Sequence, residues 1–356
     1  MKKLVKMLII VVIISSFSFK SSAKEVEEYI EDFKNILPES YKDTLDSTEK
    51  MLSFFGPDAL LKEGIDAIRD EDGLLSSFFL TALSLALMLS VSSLSSVPSL
   101  SVSHRGVGLI ASVSLGAGLL PLFVSLSEAI SEASAFFSSF IPIATAVSLG
   151  SGASLTASAG AVGMGFTLSV VGGAGGMAMI TISSLCLALG MISPLGSLEC
   201  ASLLRSLRSL FFRVLGLFTA ILVGSLSLQS VLTAAADSAA LRSARYVASG
   251  MIPIVGTTVA GALSTLVSGM SYVKSVVGVG AVLVIASVFL PPLITLLLYR
   301  LAIGIASSVS ESLSGSNEPF SSVCSALDML TTVYSLSALI YIFEIVLFIK
   351  GGVSIG

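Results

Sequence analysis

The sequence predicts an all-α, polytopic integral membrane protein, and three observations predict it. The first is where charge stops. The 283 residues from Leu74 to Gly356 hold 9 Lys or Arg and 8 Asp or Glu, whereas the 50 from Lys24 to Gly73 hold 15 acids and 6 bases. The second is composition. The chain is 54% apolar and 12% charged, against about 45–50% and about 25% in soluble domains. The third is run length: the apolar excess lies in uncharged runs of about 20 residues, the length a helix needs to cross a bilayer.

The elements follow in order. Residues 1–23 read as a secretory signal. Lys2, Lys3 and Lys6 form a basic start, Met7 to Ser18 is a short apolar stretch, and Ser21-Ser22-Ala23 offers small residues for cleavage. An uncleaved anchor is the alternative, and either puts Lys24 outside the cytoplasm. Residues 24–73 form an acidic extracytoplasmic helical domain. Val26, Ile30, Phe33 and Leu37 recur at helical spacing until Pro38 ends the run. About 50 residues bury little core, so this segment is expected to cap the membrane domain or dock a partner.

The membrane domain is 74–356. Expected spans are Leu75–Val97, Val107–Ser127, Gly165–Ile192, Leu210–Ala235, Ser275–Tyr299 and Thr332–Ile349. Two further apolar segments are broken by glycine and proline. One is Phe136–Gly163, with Pro142, Gly150, Gly152 and Gly160. The other is Met251–Tyr272, with Pro253, Gly256 and Gly261. Ile-Pro-Ile at 141–143 returns at 252–254, and the order around each copy matches, so repeats are expected over 107–208 and 209–315. Paired broken segments are a mark of repeated membrane folds. We therefore expect about six crossings plus two re-entrant hairpins, which need cover from other protein or from water. Pro142, Gly150, Gly152, Pro253, Gly256 and Gly261 are the hairpin or gate candidates.

Charge placement gives two orientations. With both broken segments re-entrant from the outer face, Arg105, Arg205, Arg208, Arg213 and Arg300 lie at the cytoplasmic side. Glu128, Glu132, Asp237, Arg242, Arg245, Lys274 and Lys350 then lie outside. If only the second broken segment crosses fully, Lys274 and Lys350 move inside and Arg300 moves out. The positive-inside rule scores the second slightly better without deciding between them, and the repeat favours the first, with both ends outside.

Few residues carry chemistry. There is one His, His104, and three Cys (Cys186, Cys200, Cys324) without metal-ligand spacing. No enzyme activity, cofactor, metal site or nucleic-acid partner is expected. Gly172 and Gly176 form a Gly-x-x-x-Gly pair suited to close helix contact, without the Lys-Ser/Thr of a phosphate loop. Glu344 lies inside the last span, where an ionisable group is a functional candidate. Asp237, Arg242 and Arg245 form the most polar segment among the spans. They are an interfacial helix end, or a clamp across the outer face to Glu128 and Glu132.

The run from Ala234, Ala-Ala-Ala-Asp-Ser-Ala-Ala-Leu-Arg-Ser-Ala-Arg-Tyr-Val-Ala-Ser-Gly-Met-Ile-Pro-Ile-Val-Gly256, resembles the signature stretch of the stage III sporulation protein AE family of endospore-forming bacteria. Phe140-Ile-Pro-Ile143, Leu203-Leu-Arg-Ser-Leu207 and the signal-plus-acidic start are similar too. The resemblance implies a multi-pass component of a complex in the mother-cell membrane around the forespore. It implies as partners the other stage III sporulation A-operon proteins and the stage II Q forespore protein. Together they form a channel or secretion-like apparatus supporting forespore integrity and late forespore gene expression. A homo-oligomer is expected within it, and a stand-alone permease with a midplane site between the hairpins is the other reading.

Overall fold

The computed structural model describes residues 72–93, 98–175, 200–251, 256–315 and 318–351, with a few isolated positions between 181 and 188. The signal segment, nearly all of the acidic domain, Gly176, Cys186 and Pro253 lie outside the described residues. So do the side chains of His104, Arg105, Arg205 and Arg245.

Every described element is helical: α1 (Asp72–Ser93), α2 (Pro98–Gly118), α3 (Leu120–Gly150), α4 (Ser154–Leu168), a π-helix (Ser169–Gly175), α5 (Cys200–Met251), α6 (Gly256–Ser314) and α7 (Glu318–Lys350). Five helical runs are long and apolar enough to cross a membrane: Gly106–Gly150, Ser154–Gly173, Ser206–Ala244, Val267–Leu313 and Phe320–Lys350, with a shorter apolar stretch at Leu75–Val91. The protein is thus an all-α, multi-span membrane protein, as its charge distribution predicts.

The bundle packs α6 against α7, α1 and α3, with α4 against α3 and α5. Its core is a column of rings between α3, α6 and α7. Phe137 meets Tyr341 at 4.7 Å, Phe289 meets Tyr334 at 4.9 Å, and Phe140 meets Phe348 edge-on at 5.5 Å. Such rings supply large buried area and defined geometry.

One hairpin departs from the expected break points. Pro142 lies inside α3, which runs on to Gly150. The turn comes at 151–153, where Gly152 takes φ +79°, a left-handed conformation open to glycine at little cost. A membrane helix tolerates an internal proline because neighbouring groups take up the freed backbone, so the left-handed glycine sets the turn. Gly160 is helical, within α4. In the other half, Gly256 opens α6 and Gly261 continues it, and residues 252–255 lie outside the described residues. A shift of 111 residues maps 252–255 onto the interior of α3 and 151–153 onto the interior of α6. The turn at 151–153 therefore has no counterpart at that shift in the described backbone.

Candidate functional site

Polar side chains fasten this apolar bundle at two ends. At the first, Asp328 of α7 accepts from two arginines: Arg208 Nη2 of α5 at 2.9 Å and Arg300 Nε of α6 at 2.7 Å. Arg208 Nη1 also donates to Ser325 Oγ at 3.3 Å, and Arg300 Nη1 contacts Cys324 Sγ at 3.2 Å. Phe78 of α1 stacks on Tyr299 here, 4.6 Å between centroids, and Gly118 lies against the Phe78 ring.

At the second end, Asp237 of α5 is 2% exposed. It accepts from the backbone N–H of Leu155 at 3.0 Å and of Thr156 at 2.7 Å. These are the second and third residues of α4, whose N-cap, Ala153, has no side-chain acceptor. The first N–H groups of a helix have no partner within it, and a carboxylate there is favoured by hydrogen bonding and by the helix dipole. Asp237 is thus a cap supplied by another helix. Four residues on, Leu241 packs on Gly152 and clusters with Ala153 and Val267. One face of the signature stretch therefore grips the α3–α4 turn. Lys274 of α6, 1% exposed, lies within electrostatic reach of Asp237, donates to the Gly351 carbonyl and sits 4.9 Å over the Phe348 ring.

The two ends are a bilayer apart. From Arg208 to Asp237 α5 rises about 43 Å, from Lys274 to Arg300 α6 rises about 39 Å, and from Asp328 to Lys350 α7 rises about 33 Å, at 1.5 Å per residue. Arg208 and Arg300 share one end, since both hold Asp328, and Asp237 and Lys274 share the other.

Between the ends, near the Asp237 side, lies a partly open cavity of about 40 Å³ lined by α3, α4, α5 and α7. Its lining mixes Ala144, Ala157, Met164 and Leu226 with Thr145, Ser148, Thr156, Gln229, Ser230, Thr233 and Glu344. Glu344 is 3% exposed and accepts from Thr167 Oγ1 at 3.0 Å. Gln229 Nε2 donates to the Ala159 carbonyl at 2.7 Å, and Thr156 Oγ1 is buried without a partner.

The structure brings together Gly150, Gly152, Asp237 and, at the cavity, Glu344. It does not bring Glu128 and Glu132 to Asp237. Both acids lie inside α3, and Glu132 is about 27 Å of helix before Gly150; its electrostatic neighbour is Tyr334. Asp237 is held by α4 instead, as the cap of that helix. Arg242 is exposed, and Gly261 has open space where a side chain would stand. Gly172 packs tightly, but on Ser134 and Tyr341. Asp328, Lys274, Thr156 and Gln229 went unselected as site residues in the sequence. The signal for the first two was the rarity of charge in apolar surroundings.

These features define a class: a multi-span helical membrane protein whose hairpin is fastened by polar groups beside a buried carboxylate. The family model for Stage III sporulation protein AE matches residues 44–352, and the chain belongs to that family. The Stage III sporulation protein AE of Bacillus subtilis (strain 168) is 23% identical over 190 residues, 53% of this chain and 48% of the relative. The match thus spans about half the length of that curated relative. No solved structure matches the chain. Membership places the protein in stage III of sporulation.

Proposed function

We propose that this chain is a membrane-embedded subunit of the sporulation channel, or secretion-like complex, that links mother cell and forespore. The observation that carries the reading is the family match over residues 44–352, which takes in the hairpin, both polar ends and all five spans. In this reading the protein sits in the mother-cell membrane, with residues 24–73 outside the cytoplasm as a docking segment. Its partners are the other stage III sporulation A-operon proteins and the stage II Q forespore protein. Several copies assemble around a shared conduit, which serves forespore integrity and late gene expression. The bare face of α5 supports assembly: Leu210, Val214, Leu217, Ile221, Leu228 and Leu232 are all exposed. Spacings of three, four and seven keep them on one side of the helix, open to lipid or to a neighbouring copy.

A permease is the second reading, favoured by the polar cavity at Glu344. Midplane sites beside broken helices are the usual transporter arrangement. The deciding experiment is purification in detergent, mass measurement and electron cryomicroscopy. A closed ring with the α3–α4 hairpins around a central space supports the channel subunit. A monomer or dimer with the cavity as its sole internal space overturns it for the permease.

A further inference from the structure

We propose that the cavity beside Glu344 binds one alkali cation of sodium's size. The juxtaposition is a buried carboxylate, a buried hydroxyl with no partner and a lining of oxygen atoms, all inside a membrane bundle.

Charge comes first. A carboxylate that stays ionised at membrane depth needs a positive partner, and without one it takes a proton. Among the described residues no Lys or Arg is in ion-pair contact with Glu344. The nearby buried cation, Lys274, is committed to the Gly351 carbonyl, the Phe348 face and the field of Asp237. Lys350 is exposed at the end of α7. In its ionised form Glu344 therefore places one negative charge on the cavity wall, which one monovalent cation inside would balance. A divalent ion would leave a net positive charge in the bundle.

The donor set comes second. Thr156 is 9% exposed, lines the cavity, and its Oγ1 has no hydrogen-bond partner. Thr145 and Thr233 donate their hydroxyl protons to carbonyls four residues back, at 2.8 and 2.9 Å, which leaves their oxygen lone pairs free. Gln229 spends its amide N–H on Ala159, which leaves its carbonyl oxygen. The polar groups offered are all oxygens, the choice of a hard cation. Metal-ligand spacing of His, Cys, Asp and Glu does not register such a set, because most of its members are neutral. A cavity of about 40 Å³ holds about two or three waters, or a sodium ion with one or two of them.

This inference is independent of the assembly reading, since a ring-forming subunit and a monomer carry the same cavity. The test is binding of radioactive sodium to the purified full-length chain at mildly alkaline pH, with choline chloride holding ionic strength constant. One saturable site per chain is expected. Glu344→Gln, which keeps an oxygen for Thr167 to donate to, should abolish it while the protein stays monodisperse. Thr156→Val should weaken sodium about tenfold, the loss of one good ligand interaction. As a second readout, sodium should raise the melting temperature of the wild type by about 2 °C at tenfold saturation and leave Glu344→Gln unmoved. No saturable binding up to about 0.1 M sodium would overturn the proposal in favour of water or a proton alone. Equal binding by Glu344→Gln would do the same.

Discussion

Replacing Asp237 with alanine tests whether one side chain fastens the hairpin. The carboxylate is buried and takes two charge-assisted hydrogen bonds from the start of α4. Its removal leaves two backbone N–H groups without an acceptor and takes the opposing charge from Lys274. Hydrogen bonds to a charged group contribute about 1.5–3 kcal/mol each, and breaking a buried charge pair from one side costs about 3–5 kcal/mol. The effects overlap, so we expect a loss of about 3–5 kcal/mol, equivalent to about 4–7 °C in melting temperature for a chain of this size. The assay is thermal unfolding in detergent, read by a thiol-reactive dye that reaches the buried Cys324 only on opening, with Cys186 and Cys200 replaced by serine. Asp237→Asn, which keeps an acceptor without the charge, should lose about half as much. Adding Lys274→Met to Asp237→Ala should restore about 1–2 kcal/mol, because no lone ammonium remains buried. The reasoning fails if Asp237→Ala melts within about 2 °C of Ser243→Ala, an exposed control on the same helix.

At the other end, Asp328→Asn releases both Arg208 and Arg300. These groups are partly exposed, at 27–39%, so solvent screening limits the loss to about 1–2 kcal/mol. Melting curves at low and high salt should show the gap between variant and wild type shrink as salt rises; a gap independent of salt would contradict an electrostatic pin. Gly172→Val should destabilise by about 1–3 kcal/mol. A Cβ there would stand 2.6 Å from Ser134 Oγ, and that oxygen takes the Tyr341 hydroxyl contact at 2.9 Å. A neutral result in the same dye assay would mean the π-helix moves aside freely.

The fold class was legible because it rests on local composition. The drop in charge at Leu74 and the long apolar runs foretell the helices whatever their packing. The turn was only half legible. Gly152 stood out, yet Pro142 drew equal weight, because a sequence does not show whether neighbouring groups will accommodate a proline within a helix. Asp237 is visible from its polarity, but its partner is not. Helix caps from another element depend on tertiary approach, and the donors are backbone groups of Leu155 and Thr156 that no side-chain pattern advertises. Glu344 was visible as a lone acid in a span. The hydroxyls around it were not, since serine and threonine occur throughout the membrane domain and only packing brings Thr145, Thr156 and Thr233 to one cavity. Asp328 carries no motif in the sequence, and only the three-helix contact separates it from ordinary surface charge.

A bundle fastened at both ends has a fixed height. Sliding α7 along its neighbours would pull Asp328 from its two arginines, and sliding α5 would pull Asp237 from α4. The protein therefore cannot answer a thicker or thinner bilayer by letting its helices slip individually. Hydrocarbon cores are about 30 Å thick and vary by a few ångströms between membranes. The mismatch must be taken up by tilt of the whole bundle or by deformation of the surrounding lipid. Lipid thickness thus acts on this protein as a force on a rigid body, and the membranes that suit it best are those that leave the bundle upright.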